Sequence, residues 1–175
     1  MSATDTRPAP AGALPVVHGL AGTAAFLTIL TFWTTTVWSE LLADLATVAA
    51  VKQAIAWALL LLVPILAVTG LSGLRLAGGA TAQPNAARPN AARPLPPPAI
   101  RAKLRRMPIV AANGVLILVP CAITLAVLSA RGDFGSTFQA VQALELLAGP
   151  VNLALIGLSI RDGIRLAGRH RPSAR

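Results

Sequence analysis

Gln142, Glu145, Gly149 and Asn152 follow one another at intervals of three, four and three within an otherwise apolar stretch. On a helix those intervals hold all four on one stripe, facing one partner. Glu145 is the only charge between Phe134 and Ile160, and a carboxyl in such surroundings calls for a basic partner or a proton. A charge at the centre of a bilayer costs about 2.5–3.5 kcal/mol on insertion scales, so the stripe is expected to face an interior. Lys52, at the matching end of another apolar stretch, is the candidate partner. Two readings stay open: a proton- or cation-handling carboxylate, or an internal Lys–Glu pair with Gln and Asn hydrogen bonds that locks helix packing.

A second set comprises His18, Thr69, Ser72, Arg106, Met107, Asn113 and Asn152. His18 is followed by Gly19 and Gly22, which leave room for a close neighbour or a flat ligand. A membrane histidine can ligate haem. Met107, or His18 of a second copy, would then supply the other ligand, because His170 lies in a basic tail. The competing reading is a hydrogen-bonded histidine at the membrane interface. Two His and one Cys make no zinc set. No Gly-rich phosphate loop occurs, and the serines lack a His/Asp set at a common depth. Cys121 stands alone, which excludes a disulfide framework.

The elements that must position these residues are membrane helices. Hydrophobic residues make up 55% of the chain and charged ones 12%, with a mean hydropathy of +0.68, outside the range of soluble globular proteins. No Asp, Glu, Lys or Arg occurs from Pro8 to Ser39, from Gln53 to Leu74 or from Met107 to Ala130. About 20 apolar residues cross a hydrocarbon core of ~30 Å, so these stretches and Phe134–Ile160 are each long enough to span. The expected fold is all-α, an integral membrane four-helix bundle.

The net charge of +9 is placed unevenly. Arg75, Arg88, Arg93, Arg101, Lys103, Arg105 and Arg106 lie between the second and third stretches, and five more arginines follow the fourth. The other two connections hold mainly Glu40, Asp44 and Asp133, with Lys52 and Arg131 at their edges. By the positive-inside rule both termini and the basic linker are cytoplasmic. The expected partners are the bilayer and, through the Arg-rich linker and tail, anionic headgroups; nucleic acid is not expected. Thirteen Arg against two Lys suggest a GC-rich bacterial genome, hence the bacterial inner (plasma) membrane. Trp33, Trp38, Phe134 and Phe138 are expected at the outer interface.

The expected organisation is a disordered tail over 1–14, a transmembrane hairpin over 15–78, a Pro/Ala-rich basic linker over 79–107, a second hairpin over 108–160 and a basic tail over 161–175. The linker contains PNAARPNAARP and then PLPPP, which favour extended chain. Gly70–Gly78 (GLSGLRLAG) matches Gly157–Gly168 (GLSIRDGIRLAG) after a three-residue insertion. Duplication of a two-helix hairpin explains this; coincidence in an Ala/Leu/Gly-rich chain is the alternative.

The segments HGLAG at His18, FWTTTVWSE at Phe32–Glu40, RRMPIVAANG at Arg105–Gly114 and QALELLAGPVN at Gln142–Asn152 resemble small four-span bacterial inner-membrane proteins of unassigned function. The HGLAG opening is also similar to four-helix b-type cytochromes. Those families place further histidines along the helices, where this chain has Thr28, Phe32 and Trp33, so no ligand set carries over. The resulting expectation is a non-enzymatic structural or accessory subunit without a cofactor, acting in a homodimer or larger membrane complex. The alternative is a redox protein with haem b or quinone, or a proton or small-molecule transporter, using His18 and Glu145.

Overall fold

Long apolar runs without helix-breaking clusters have one way to satisfy their backbone in lipid, which is to bond within the helix. A computed structural model describes residues 12–81 and 98–169. Residues 1–11 of the expected disordered tail, the PNAARPNAARP run and His170 fall outside those residues, while Ala13 and Leu14, expected in that tail, begin α1. The described chain forms α1 (Ala13–Leu42), α2 (Leu45–Thr81), α3 (Pro98–Asn113), a π-helical turn (Gly114–Leu118), α4 (Val119–Ala130) and α5 (Ser136–Arg169). α3, the π turn and α4 make one continuous span. Four helical spans are thus long and apolar enough to cross a membrane, and the protein is an all-α, multi-pass membrane bundle.

The helices overrun the boundaries expected from charge. α2 runs to Thr81 and α3 starts at Pro98, so helix enters both ends of the expected 79–107 linker. Likewise α5 continues through the start of the expected 161–175 tail. Charge marks where a helix leaves lipid; it does not mark where the backbone stops bonding to itself. The 34 residues of α5 rise about 51 Å, well beyond a core of ~30 Å, and the excess carries the arginines.

The spans close into a ring. α1 packs on α2 and α5, and the α3–α4 span packs on α2 and α5, leaving α2 and α5 as diagonal partners without direct backbone contact. Ala25, Ile29, Ile55, Leu59, Leu62 and Ala122 form one core cluster. Val48, Leu125 and Phe138 form another. Outward, Leu20, Trp57, Leu60, Leu116 and Leu147 are each more than two-thirds exposed. That surface suits hydrocarbon, where large apolar side chains cost nothing to leave uncovered.

At the end opposite Arg75, Arg105, Arg106, Arg161 and Arg165 the connections are tight. Only Ala43 and Asp44 separate α1 from α2. Asp44 Oδ1 accepts from the Thr47 backbone N–H at 2.8 Å, capping α2. Hydrogen bonds from the Thr47 side chain and backbone hold the Asp44 carboxyl below its usual range. The cap is therefore complete above the ordinary carboxylate pKa and is lost as pH falls through the depressed folded value. α4 ends differently, with Gly132 N–H donating to Ser129 O and Asp133 N–H to Leu128 O, both at 3.0 Å. Gly132 takes a φ of 69°, which completes this Schellman cap and which side-chain-bearing residues resist. Gly132→Val should therefore lower stability by at least ~1 kcal/mol. Thermal unfolding in detergent measures this, and an unchanged midpoint would show that the cap contributes nothing.

Candidate functional site: a buried polar lattice

The Gln142–Asn152 stripe lies on α5 and faces into the ring. Gln142 and Asn152 are each 3% exposed, and Gly149 is buried. From the start of α5 at Ser136, Glu145 lies about 14 Å along the axis, near the middle of a ~30 Å core. Lys52, on the diagonal helix α2, is 1% exposed and sends its ammonium across the interior to within 2.8 Å of Glu145 Oε2. Its flexible stem bridges two backbones that do not touch. Glu40, near the end of α1, stands within electrostatic reach of both Lys52 and Glu145. Glu40 Oε1 is buried without a hydrogen-bond partner, so the contact with the ammonium is Glu145's. Glu40, whose charge groups it by sequence with the outer connection, lies within α1.

Trp33 is turned inward, contrary to the expected interfacial placement, and its neighbours explain why. Pro150 has no N–H, so the Leu146 carbonyl loses its normal helical donor. Trp33 Nε1 donates to that carbonyl at 3.3 Å. The indole lies flat enough on α5 that a Cβ added to Gly149 would come within 2.7 Å of Trp33 Cδ1. Phe138 is also a correction: at 1% exposure it belongs to the core cluster with Val48 and Leu125. Trp38, half-exposed, remains available to the interface.

Asn113 Nδ2 donates to Ala148 O at 3.0 Å, joining the third span to α5 one residue before Gly149. The π turn begins just after Asn113. Pro120 cannot donate to Leu116, and the wider turn, with Val119 N–H bonded to Gly114 O, accommodates that loss. Gly114 in turn sits opposite the Asn152 amide, whose Nδ2 would lie 3.9 Å from an added Cβ.

A cavity of about 70 Å³ opens where these groups converge. Its lining is mainly apolar, from Ile29, Phe32, Leu59 and Ala122, with Thr36, Glu145 and Asn152 as the polar exceptions. Asn152 Oδ1 and both amide atoms of Gln142 are buried without a hydrogen-bond partner. Polar groups so placed are expensive, and the cavity has room for water to serve Asn152.

The second expected set separates into three contacts. His18 Nδ1 lies 3.0 Å from Thr69 O and 3.1 Å from Ser72 Oγ. A carbonyl only accepts, so Nδ1 carries the proton and the ring ties α1 to α2. Met107 Cε and His18 Cε1 crowd Gly73 to within 2.8 and 3.0 Å of an added Cβ. His18, Met107 and Gly73 thus pack against one another where α1, α3 and α2 meet. Arg106 instead reaches Asp162 Oδ2 at 2.7 Å, tying α3 to α5 at the basic end. Asp162 was missed in the sequence, although it is the only acidic residue among the C-terminal arginines. Among the described residues no group of three His, Cys, Asp or Glu could hold a metal.

No family model, no curated protein and no solved structure matches this chain.

Removing Lys52 would leave the buried Glu145 without its ammonium, and such losses cost about 3–5 kcal/mol. Lys52→Ala should fall in that range, and Lys52→Ala/Glu145→Gln should recover part of it because no buried charge is left unpaired. Additive losses in the double variant, read from detergent unfolding, would contradict a direct pair. Gly149→Ala should shift Trp33 fluorescence, since the indole cannot keep both its place and its bond to Leu146 O. An unaltered spectrum would reject the docking.

Proposed function

We propose that this chain is a non-catalytic subunit of the bacterial inner membrane, with both termini cytoplasmic and a structural or accessory role through contact with itself or a larger assembly. The observation that carries the reading is how the interior polar groups are used. Lys52 with Glu145, Trp33 with Leu146 O, Asn113 with Ala148 O, His18 with Thr69 O and Arg106 with Asp162 each join two helices. Polar groups spent on fixing helices to one another make a rigid scaffold. Orientation rests on charge: Arg75, Arg105, Arg106, Arg161 and Arg165 gather at one end of the bundle, and the short turns with Asp44 and Asp133 at the other.

One observation favours a second reading. The cavity beside Glu145, with the partnerless Asn152 Oδ1 close by, offers acceptors to water or a proton in the middle of the span. In that case the protein would move protons or a small cation, and Glu145 would be the group that binds them.

The expected outcome for the scaffold reading is an assembly of fixed mass, larger than the monomer, in native mass spectrometry from mild detergent, with no Soret band after expression with ample haem. Liposomes carrying the protein should show no pH-driven dye response beyond that of empty ones. A response abolished by Glu145→Gln in a protein of unchanged Tm would replace the scaffold with the proton reading. A periplasmic phosphatase fused after Arg175 should stay inactive, and its activity would overturn the orientation.

A further inference from the structure

Thr23, Phe26 and Leu27 of α1 and Gly157, Ile160, Arg161, Ile164 and Arg165 of α5 line an open groove of about 610 Å³ on the outside of the bundle. Gly157 keeps it deep, because the nearest atom to an added Cβ is Phe26 Cε2 at 3.8 Å, with nothing else crowding it. The walls are apolar except at one end, where Arg161 and Arg165 stand one helical turn apart on the same face of α5. Counted from Ser136, Arg161 lies about 38 Å along the helix axis and Arg165 about 44 Å. The core of ~30 Å is passed by then, and the long side chains, which lean toward the helix N-terminus, reach back to the headgroup layer of a membrane ~40–45 Å thick overall.

Charge decides what fits. Asp162 is the single acidic residue in the last 30 residues of the chain. Its Oδ2 is held by Arg106 at 2.7 Å, and only a long 3.7 Å contact reaches Arg161 from Oδ1. Arg161 remains half-exposed and Arg165 exposed, with Arg75 and Arg105 exposed at the same end of the bundle. Among the described residues at this end Asp162 is the one carboxylate, and because Arg106 already holds it, the positive charge stays in excess. Guanidinium is suited to bidentate phosphate contact, and the apolar wall beneath it continues into the hydrocarbon region.

We propose that this groove is a binding site for one anionic phospholipid, its phosphate held between Arg161 and Arg165 and an acyl chain laid along Phe26, Leu27, Ile160 and Ile164. The proposal rests on the membrane reading above and narrows its diffuse attraction for anionic lipid to one place. The bound lipid would fill the outer seam between α1 and α5, the pair that Trp33 joins on the inside.

The full chain, in nanodiscs of phosphatidylglycerol or of phosphatidylcholine, is extracted gently and weighed by native mass spectrometry. One phosphatidylglycerol should be retained per chain, with no such retention of phosphatidylcholine. Each basic side chain near an anionic surface contributes about fivefold in affinity, so Arg161→Gln/Arg165→Gln should weaken retention by about 30-fold. Arg75→Gln/Arg105→Gln makes the same charge change at the same end but outside the groove, and should leave retention within a fewfold of wild type. Gly157→Leu fills the apolar half without altering charge and should also reduce retention. Equal losses from the two arginine pairs would overturn the site while keeping a diffuse attraction to anionic lipid. No preference for phosphatidylglycerol in the wild-type chain would overturn both. Retention that survives Gly157→Leu and the groove arginine pair alike, or a dimer that forms only when lipid is stripped, would assign the groove to something other than a lipid.

Discussion

An ammonium and a carboxylate in the middle of a membrane have no water to fall back on, and everything else in this bundle is arranged around that pair. Lys52 and Glu145 sit on diagonal helices whose backbones do not meet. Their contact therefore constrains all four helices together, since α1 and the α3–α4 span must fill the space on either side of it. Desolvating both ions costs more than a surface pair could return, and the attraction offsets that cost only when geometry and further polar contacts are good. Glu40 Oε1, buried without a hydrogen-bond partner within electrostatic reach of the pair, adds to that cost.

Proline gives the second level of control. Pro150 and Pro120 each remove a backbone donor in the bundle's interior half, and each loss is met by a different device. On α5 the freed Leu146 carbonyl is taken by the Trp33 indole, which needs Gly149 to come close. On the third span the helix opens into a π turn over Gly114–Leu118. Both devices border the cavity that Glu145 and Asn152 line. Backbone irregularity at membrane depth is tolerated where protein surrounds it, and here it is what brings polar groups from three helices to one place.

The sequence made some of this legible and hid the rest for physical reasons. Four apolar runs separated by charge suffice to specify four spanning helices, because lipid admits few alternatives. The spacing of Gln142, Glu145, Gly149 and Asn152 is enough to place one face inward, since a charge at that depth excludes the opposite rotation. Trp33 was read as interfacial because tryptophan favours headgroups in general; its inward turn depends on Pro150 and Gly149, over a hundred residues away in the chain. A Gly–Pro pair within a helix is by itself a kink signal, and only the neighbouring helix reveals Gly149 and Pro150 as a docking slot. Asp162 was lost among arginines, where one carboxylate barely changes net charge, yet it is the residue that fixes Arg106. Helix extends to Thr81 and resumes at Pro98, within the expected 79–107 linker, because charge reports the water boundary and not the end of backbone bonding.

The two ends of the bundle solve opposite problems. At the short-turn end the chain reverses within two residues or within a glycine-dependent cap, so the helices are held by covalent proximity and by capped backbone groups. At the basic end α2 and α5 run on beyond any hydrocarbon core, and no short turn joins the described helices there. Their separation must then be fixed by side chains: His18 against Thr69 and Ser72, and Arg106 against Asp162. The repulsion among the remaining arginines acts against those two ties. It grows as ionic strength falls, because screening between exposed charges is lost. The α1–α5 edge has neither tie, and it is there that the open groove lies. The same accumulation of charge thus leaves one seam of the bundle without a side-chain tie of its own at this end.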